Sequence, residues 1–285
     1  MTIMSSTSTV TSTLAPTPAV RPAPAPPAAP GPRVRGLTAE ATFIKRSIIH
    51  AIRTPDALIM ATVFPIIMMF LFTFVFGGAF DADGSYVQYV VPGIILLCAG
   101  FGAASVAVDV AQDMTTGIID RFRTMPIRAS AVITGHVVTS LIRNLVATSI
   151  VIGVAIAVGF RPNATPLEWV AAFGLIALYI LAITALFAAI GLAASSPEAA
   201  SGYGFFVMFV PYVSSAFVPV STMPSWLQWI AQNQPLTPII ETIRGLLRGT
   251  AIGDNGWIAV AWCLGILLVA TIWTAVSFRA KSGRR

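Results

Sequence analysis

Residues with the chemistry for catalysis are sparse in this chain. ATP hydrolysis by a P-loop enzyme needs a glycine-rich loop ending in Gly-Lys-Ser/Thr, so that backbone N–H groups and the lysine hold the phosphates. The chain contains two lysines, Lys45 and Lys281, and neither follows a glycine. No Ser/His/Asp or Cys/His set has a supporting sequence context. We therefore expect no catalytic site and no cofactor in the chain itself.

Histidine and cysteine do not indicate a metal site either. His50 and His136 are isolated in the sequence, whereas a metal site needs a cluster of ligands. Cys98 and Cys263 lie in separate apolar runs, where a thiol behaves as a small hydrophobic group. The sequence therefore predicts neither a bound metal nor a disulfide.

Asp109 and Arg143 are the notable ionisable residues near or within apolar runs. An unpaired arginine at the centre of a bilayer costs roughly 2.5–3.5 kcal/mol on insertion scales. Their two runs are consecutive and antiparallel, so Asp109 could pair with Arg143 inside a helical bundle. The alternative is that both side chains extend to the membrane interface, since Asp109 lies near the end of its run.

The elements that must position these residues are membrane-spanning helices. Hydrophobic residues make up 56% of the chain and charged residues 10%, whereas soluble domains carry about 25% charged residues. The mean hydropathy of +0.84 agrees with a bilayer environment. The net charge of +6 comes from basic residues that flank apolar runs, which favours the membrane surface over nucleic acid as the partner.

Six apolar runs are long enough to cross a bilayer, which takes about 20 helical residues. They lie at about 57–76, 90–110, within 131–160, and at about 167–194, 202–220 and 257–278. The predicted fold class is an all-α polytopic membrane protein with six transmembrane helices. Residues 1–36, rich in Pro, Ala, Ser and Thr, are predicted as a disordered cytoplasmic tail, and residues 37–285 as the transmembrane domain.

The distribution of basic residues predicts that both termini are cytoplasmic. In that orientation thirteen Lys and Arg residues lie inside, and three lie outside: Arg161, Arg244 and Arg248. Cytoplasmic loops normally carry this excess of basic residues. We therefore expect a multi-pass protein of the cytoplasmic membrane.

Residues 221–250 do not fit a simple span. They are semi-apolar and interrupted by Pro224, Pro235 and Pro238, and proline interrupts helices. Non-helical backbone at membrane depth must be covered by protein or line a wet cavity. We expect a re-entrant or outer-interface segment that leads to a short helix at 238–247.

The loop between the second and third runs is more charged than a tight turn needs. Within residues 117–127, Asp120, Arg121 and Arg123 can face water while the apolar residues pack. This pattern predicts a short helix on the cytoplasmic surface that could dock into a partner. The alternative is an ordinary loop whose arginines only set the orientation.

Short motifs, in order along nearly the whole chain after the tail, resemble those of one protein family. They are Arg53 with Pro55, Pro65, Phe76-Gly77-Gly78, Val91-Pro92-Gly93, Asp113, the segment 117–127, Gly135, Ser196-Pro197-Glu198, the segments 214–219 and 223–227, and the segment 233–237 with Arg244 and Gly249. Together they are similar to type-2 ABC exporter permeases, particularly the daunorubicin/doxorubicin-resistance type. The chain departs from that pattern in its Pro-rich tail and at His136, where a basic side chain is expected.

The resemblance implies a transport mechanism. Two permease copies, or this chain and a related one, form the pathway, and two cytoplasmic ATPase subunits bind ATP and Mg and power it. The implied ATPase-coupling residues are Gly117, Asp120, Arg121, Phe122, Arg123 and Pro126. The implied outer-gate residues are Phe217, Pro219, Met223, Pro224 and Trp226. The implied cargo is hydrophobic or amphipathic: a drug, a lipid or a polyketide-like compound.

Two other function classes stay open from the residues alone. An ion-coupled secondary transporter would carry several acidic or histidine residues deep in its spans and matched discontinuous helices in two repeats. The apolar runs offer at most Asp109, and no convincing internal repeat is present. A non-transporting membrane assembly factor would not need an ordered coupling loop.

Overall fold

The computed structural model describes residues 55–80, 86–116 and 130–282, and every regular element in these ranges is helical. The first helix, α1, comprises Pro55–Phe70, a π-helical stretch Leu71–Phe76 and Gly77–Phe80, which follow one another without a break. The others are α2 (Tyr86–Thr115), α3 (Ser130–Val158), α4 (Pro166–Ala193), α5 (Pro197–Val207), α6 (Ser225–Asn233), α7 (Leu236–Arg248) and α8 (Asn255–Ser282).

Five of the described helices are long and apolar enough to cross a membrane. The spanning stretches are Ala61–Ala79, Tyr86–Thr115, Thr134–Val158, Pro166–Ala193 and Asn255–Ser277. Each exceeds or approaches the roughly 20 helical residues that a hydrocarbon core requires. The prediction of an all-α, multi-pass membrane protein is thereby confirmed in its main feature.

Local sequence signals explain where these helices begin and end. Thr165 caps α4 through a reciprocal pair of hydrogen bonds with Glu168, and Pro166 occupies the first turn, where its missing N–H costs nothing. The far end of α7 is closed by Gly249 in the left-handed conformation, with φ of 64°, which glycine adopts without a steric penalty.

Helix α2 lies at the centre of the bundle. It contacts α1, α3, α4, α5 and α7, and its residues Ile94–Leu97 are almost completely buried. The backbone of α4 approaches it closely at Gly191, because a Cβ atom there would lie 2.3 Å from the main-chain oxygen of Ala107. A helix that is buried over most of its surface explains why its sequence is largely apolar.

The fifth apolar run is not the continuous helix that we predicted for residues 202–220. Helix α5 stops at Val207, after 11 residues, a length of about 16 Å. A short 3₁₀ turn, Val210–Val213, follows, and a second one, Val220–Thr222, comes later. Pro211 has no N–H to donate to the carbonyl of Val207, so the helical ladder cannot continue normally at this point.

The broken run nevertheless extends along the bundle. Gly204 of α5 packs against Phe187, near the end of α4. Ala216 packs against Gly93, near the beginning of α2. Since α2 and α4 run in the same direction, as the Gly191–Ala107 approach shows, residues 197–217 pass from one end of the bundle towards the other.

The short helix predicted at 238–247 is present as α7. Its buried face includes Ile239, Ile240, Ile243 and Leu247, each with 0% exposure. The preceding helix α6 instead exposes Trp226 and Trp229. The predicted tail, residues 1–36, and the predicted coupling segment, residues 117–127, lie outside the described residues.

Candidate functional site

The candidate site is the stretch of residues 213–219, here named the closing segment, which begins at the last residue of the first 3₁₀ turn and continues as non-helical chain. Ser214 is extended, with φ of −110° and ψ of −176°, and Ser214, Ser215, Ala216 and Phe217 are all buried. Backbone that leaves the helical conformation in an apolar bundle has no helical hydrogen bonds, so its polar groups need partners from elsewhere.

Side chains from other elements satisfy alternate carbonyls of the closing segment. Gln234 Nε2 donates to Val213 O at 2.7 Å. The hydroxyl of Tyr89 donates to Ser215 O at 2.9 Å, and that of Tyr86 donates to Phe217 O at 2.7 Å. Helices α2 and α6–α7 therefore enclose the segment from two sides.

The N–H groups of the segment are satisfied locally and by α7. Ser215 N donates to Thr237 Oγ1 at 3.4 Å. Ala216 N donates to Ser214 Oγ at 3.2 Å, while that hydroxyl donates to Pro211 O at 2.5 Å. These bonds allow the chain to leave the helical conformation and stay buried without an unpaired amide at Ser215 or Ala216.

Arg244 of α7 reaches the same segment. Its side chain is buried, with 5% exposure, and its Nη2 donates to Ser215 O at 2.8 Å and to Tyr89 O at 3.1 Å. The guanidinium carbon also lies 3.8 Å from the centre of the Tyr89 ring, and Nη1 pairs with Glu241. One cation therefore connects α2, α7 and the closing segment.

Sequence analysis did not assign this role to Arg244. The residue entered as one of three outer arginines and as part of the family motif. The available signal was helical spacing. Ile240 and Leu247 belong to the buried face of α7, and Arg244 lies on the same face, four residues after Ile240 and three before Leu247.

The apolar side of the closing segment is aromatic. The Phe217 ring stacks on Phe72 with 4.3 Å between centroids and on Tyr212 with 5.2 Å. Phe72 belongs to the π-helical stretch of α1, a conformation that occurs frequently at functional sites. Phe217 thus fills the space between α1 and the broken end of α5.

The five predicted outer-gate residues differ in their exposure. Phe217 and Met223 are buried, with 5% and 8% exposure. Pro219, Pro224 and Trp226 are exposed. The gate assignment itself stays a prediction.

Asp109 and Arg143 are on facing helices, as expected. Arg143 Nη2 donates to Ser105 Oγ at 2.6 Å and to Gly102 O at 3.1 Å, and Asp109 acts on the guanidinium electrostatically. The predicted ion pair between them stays a prediction.

Another polar contact joins α2 and α3 close to the undescribed residues 117–129. His136 Nε2 and Asp113 Oδ2 lie 2.8 Å apart, and both side chains are partly buried. The contact fixes the spacing of the two helices that flank the predicted coupling residues, which themselves lie outside the described part of the chain.

Together, the apolar helices and the enclosed break define a multi-pass α-helical membrane protein with a discontinuous segment in its bundle. Residues 39–247 match the family described as ABC-2 type transporter. The match covers well over half of the chain, and the chain belongs to this family. The family suggested by the sequence motifs is therefore confirmed.

Individual relatives agree with this membership. The daunorubicin resistance ABC transporter permease protein DrrB1 of Streptomyces coeruleorubidus is 30% identical over 241 residues, covering 84% of each chain. The probable doxorubicin resistance ABC transporter permease protein DrrC of Mycobacterium tuberculosis (strain CDC 1551 / Oshkosh) is 24% identical over 224 residues, or 78% of this chain and 81% of the relative. The putative transport permease ycf38 of Cyanophora paradoxa is 28% identical over 213 residues, or 71% of this chain and 72% of the relative.

Proposed function

We propose that the chain is the permease subunit of an ABC exporter that moves a hydrophobic or amphipathic compound out across the cytoplasmic membrane. The observation that carries this proposal is the family match over residues 39–247, which includes residues 117–127 and the closing segment. Two of the relatives carry daunorubicin or doxorubicin resistance in their names, which supports export of an amphipathic drug-like compound.

ATP hydrolysis belongs to a separate cytoplasmic subunit in this proposal. The chain has no lysine in a glycine-rich phosphate loop, so ATP and Mg bind to the partner. Two ATPase subunits act on two permease copies, either two of this chain or this chain with a related one. Residues 117–127 form the coupling contact, and Arg121 and Arg123 pair with carboxylates of the partner.

We infer six crossings, of which the fifth is discontinuous. Residues 197–217 make that crossing, since they extend from the end of α4 to the beginning of α2. Interrupted helices occur in transporters where protein covers the freed backbone groups. Exposed Trp226, Trp229 and Trp257 mark the outer interface, where aromatic rings prefer to lie. Both termini are then cytoplasmic.

The closing segment acts as the outer gate. In the described conformation Phe217 fills the space beside α1 and α2, and the surrounding side chains hold its backbone. Approach of the two ATPase subunits moves the coupling residues, and the bundle then releases the closing segment to open the outer end. Pro219, Met223, Pro224 and Trp226 border the opening.

Co-purification tests this function. The chain is tagged and co-expressed with a candidate ABC ATPase, and the complex is placed in lipid nanodiscs. We expect the ATPase to co-purify and its turnover to rise with an amphipathic drug. A folded chain that binds no ATPase, or a complex whose turnover ignores a broad panel of hydrophobic compounds, would contradict the proposal.

A further inference from the structure

A buried cation and a tyrosine hydroxyl converge on one main-chain oxygen of the closing segment. We propose that Arg244 is a positioning residue that keeps the gate shut, acting through the carbonyl oxygen of Ser215. The inference rests on the proposed exporter function, because it explains how the gate of that exporter is held.

Four hydrogen bonds from Arg244 and Tyr89 hold the closing segment, and this set of contacts is here named the latch. Ser215 O accepts from Arg244 Nη2 at 2.8 Å and from Tyr89 OH at 2.9 Å, so both lone pairs of this oxygen are used. Arg244 also donates to Tyr89 O through Nη2 and Nε, at 3.1 Å and 3.3 Å. The guanidinium therefore fixes the closing segment to the main chain of α2.

An arginine suits this position better than a lysine. Among the described residues, Arg244 is the only charged residue in the buried class. A buried cation is tolerated only when its donors are satisfied, and the planar guanidinium offers several donors in a fixed geometry, whereas an ammonium is a single compact charge. Arg244 uses that geometry to reach two carbonyls and Glu241 at once.

The side chain of Ser215 does not take part in the latch. Its Oγ is buried and has no hydrogen-bond partner, so the contacts that hold this residue are made by its main chain. A Ser215→Cys substitution therefore preserves the latch and places a thiol at the gate. Exposure of that thiol reports opening directly, independently of whether cargo is transported.

The experiment uses the complex with its ATPase in right-side-out vesicles, in a Cys98→Ala/Cys263→Ala background that carries Ser215→Cys. An impermeant maleimide is applied from outside without nucleotide. We expect slow labelling in this parent and labelling about tenfold faster in Arg244→Lys and in Tyr89→Phe. A tenfold change corresponds to about 1.4 kcal/mol.

A variant that combines Arg244→Lys with Tyr89→Phe tests whether the two residues act on the same contact or independently. Tyr89 and Arg244 act on one oxygen, so the combined effect should be smaller than the product of the single effects. Glu241→Gln is the matched control, because it removes the charge partner of Arg244 and leaves both carbonyl contacts in place. It should label at the parent rate. Unfolding temperatures of all variants are measured, and Tyr89→Phe keeps the test informative if Arg244→Lys fails to fold.

The possible outcomes distinguish failure of the proposed latch from failure of the proposed gate. Parent-like labelling of Tyr89→Phe and of a folded Arg244→Lys variant overturns the latch. Equal acceleration by Glu241→Gln also overturns it, because the ion pair and not the carbonyl contact would then matter. If the parent thiol never reacts from outside, whether without nucleotide, with ATP or after vanadate trapping, the proposed gate itself is wrong.

Discussion

At the scale of single residues, the main-chain carbonyls of the closing segment obtain their hydrogen bonds from side chains of other elements. The chain leaves the α-helical conformation inside the bundle, and the carbonyls of Val213, Ser215 and Phe217 each accept a bond from a side chain of another element. A buried carbonyl left without a donor costs about 1–3 kcal/mol. The tyrosines of α2 therefore do more than fill space, because their hydroxyls satisfy carbonyls that have no helical hydrogen bond.

Close backbone approach at Gly93 gives a prediction at this scale. A Cβ atom there would lie 2.7 Å from Ala216, so Gly93→Ala must displace the closing segment or α2. Overpacking of this kind typically costs about 1–3 kcal/mol, and we expect a lower unfolding temperature and weaker export. Gly100 lies on the same helix, and a Cβ atom added there would meet nothing within 4 Å, so Gly100→Ala is the control. Equal behaviour of the two variants would show that the contact is unimportant.

At the scale of elements, hydropathy predicted the helices well but not their continuity. Five apolar runs and the short helix α7 appear as expected. The break after Val207 was missed because an apolar average does not register a lost hydrogen bond. The presence of a proline does not predict a break in the helix either. Pro65 and Pro92 lie inside α1 and α2, whereas Pro211 follows the end of α5.

The outer-gate residues show the same limit. Motif order placed Phe217 and Trp226 together, yet one is buried and the other is 69% exposed. The partner of the closing segment, Arg244, is distant in sequence from both Tyr89 and Ser215. Such a contact depends on how α7 folds back into the bundle, which local pattern does not determine.

The coupling segment carries the prediction at the scale of elements. Arg121→Ala and Arg123→Ala together should leave membrane insertion largely intact, because both residues lie outside the predicted hydrocarbon region. ATPase association and export should fall together, since in the proposed function the two guanidinium groups orient the partner contact. Topology, co-purification and export are measured on one preparation. Normal association and export by a correctly oriented double variant would refute the role of these arginines.

At the scale of the whole molecule, charge and aromatic residues agree on one orientation. Thirteen basic residues against three favour the proposed orientation, in which both termini lie inside. The exposed Trp226, Trp229 and Trp257 lie at the outer boundary in that proposed orientation, where aromatic rings prefer to lie. Under this arrangement the closing segment faces the exterior, and α2 and α3 lead to the cytoplasmic coupling segment.

Cysteine accessibility tests the orientation. Asp83→Cys, between α1 and α2, should react with an impermeant thiol reagent added to sealed cells, whereas Lys281→Cys should react only after permeabilisation. Both are introduced into the Cys98→Ala/Cys263→Ala background. Labelling of position 281 but not of position 83 in sealed cells would reverse the topology.

The most direct test of the exporter function is ATP-driven transport in inside-out vesicles that contain the chain and its ATPase. A fluorescent amphipathic drug should accumulate in the lumen only when both subunits and ATP are present. Accumulation should persist when the proton and sodium gradients are abolished, and it should stop when the ATPase is inactivated. Accumulation that follows an ion gradient and ignores ATP, or that is unchanged when the chain is absent, would contradict the account.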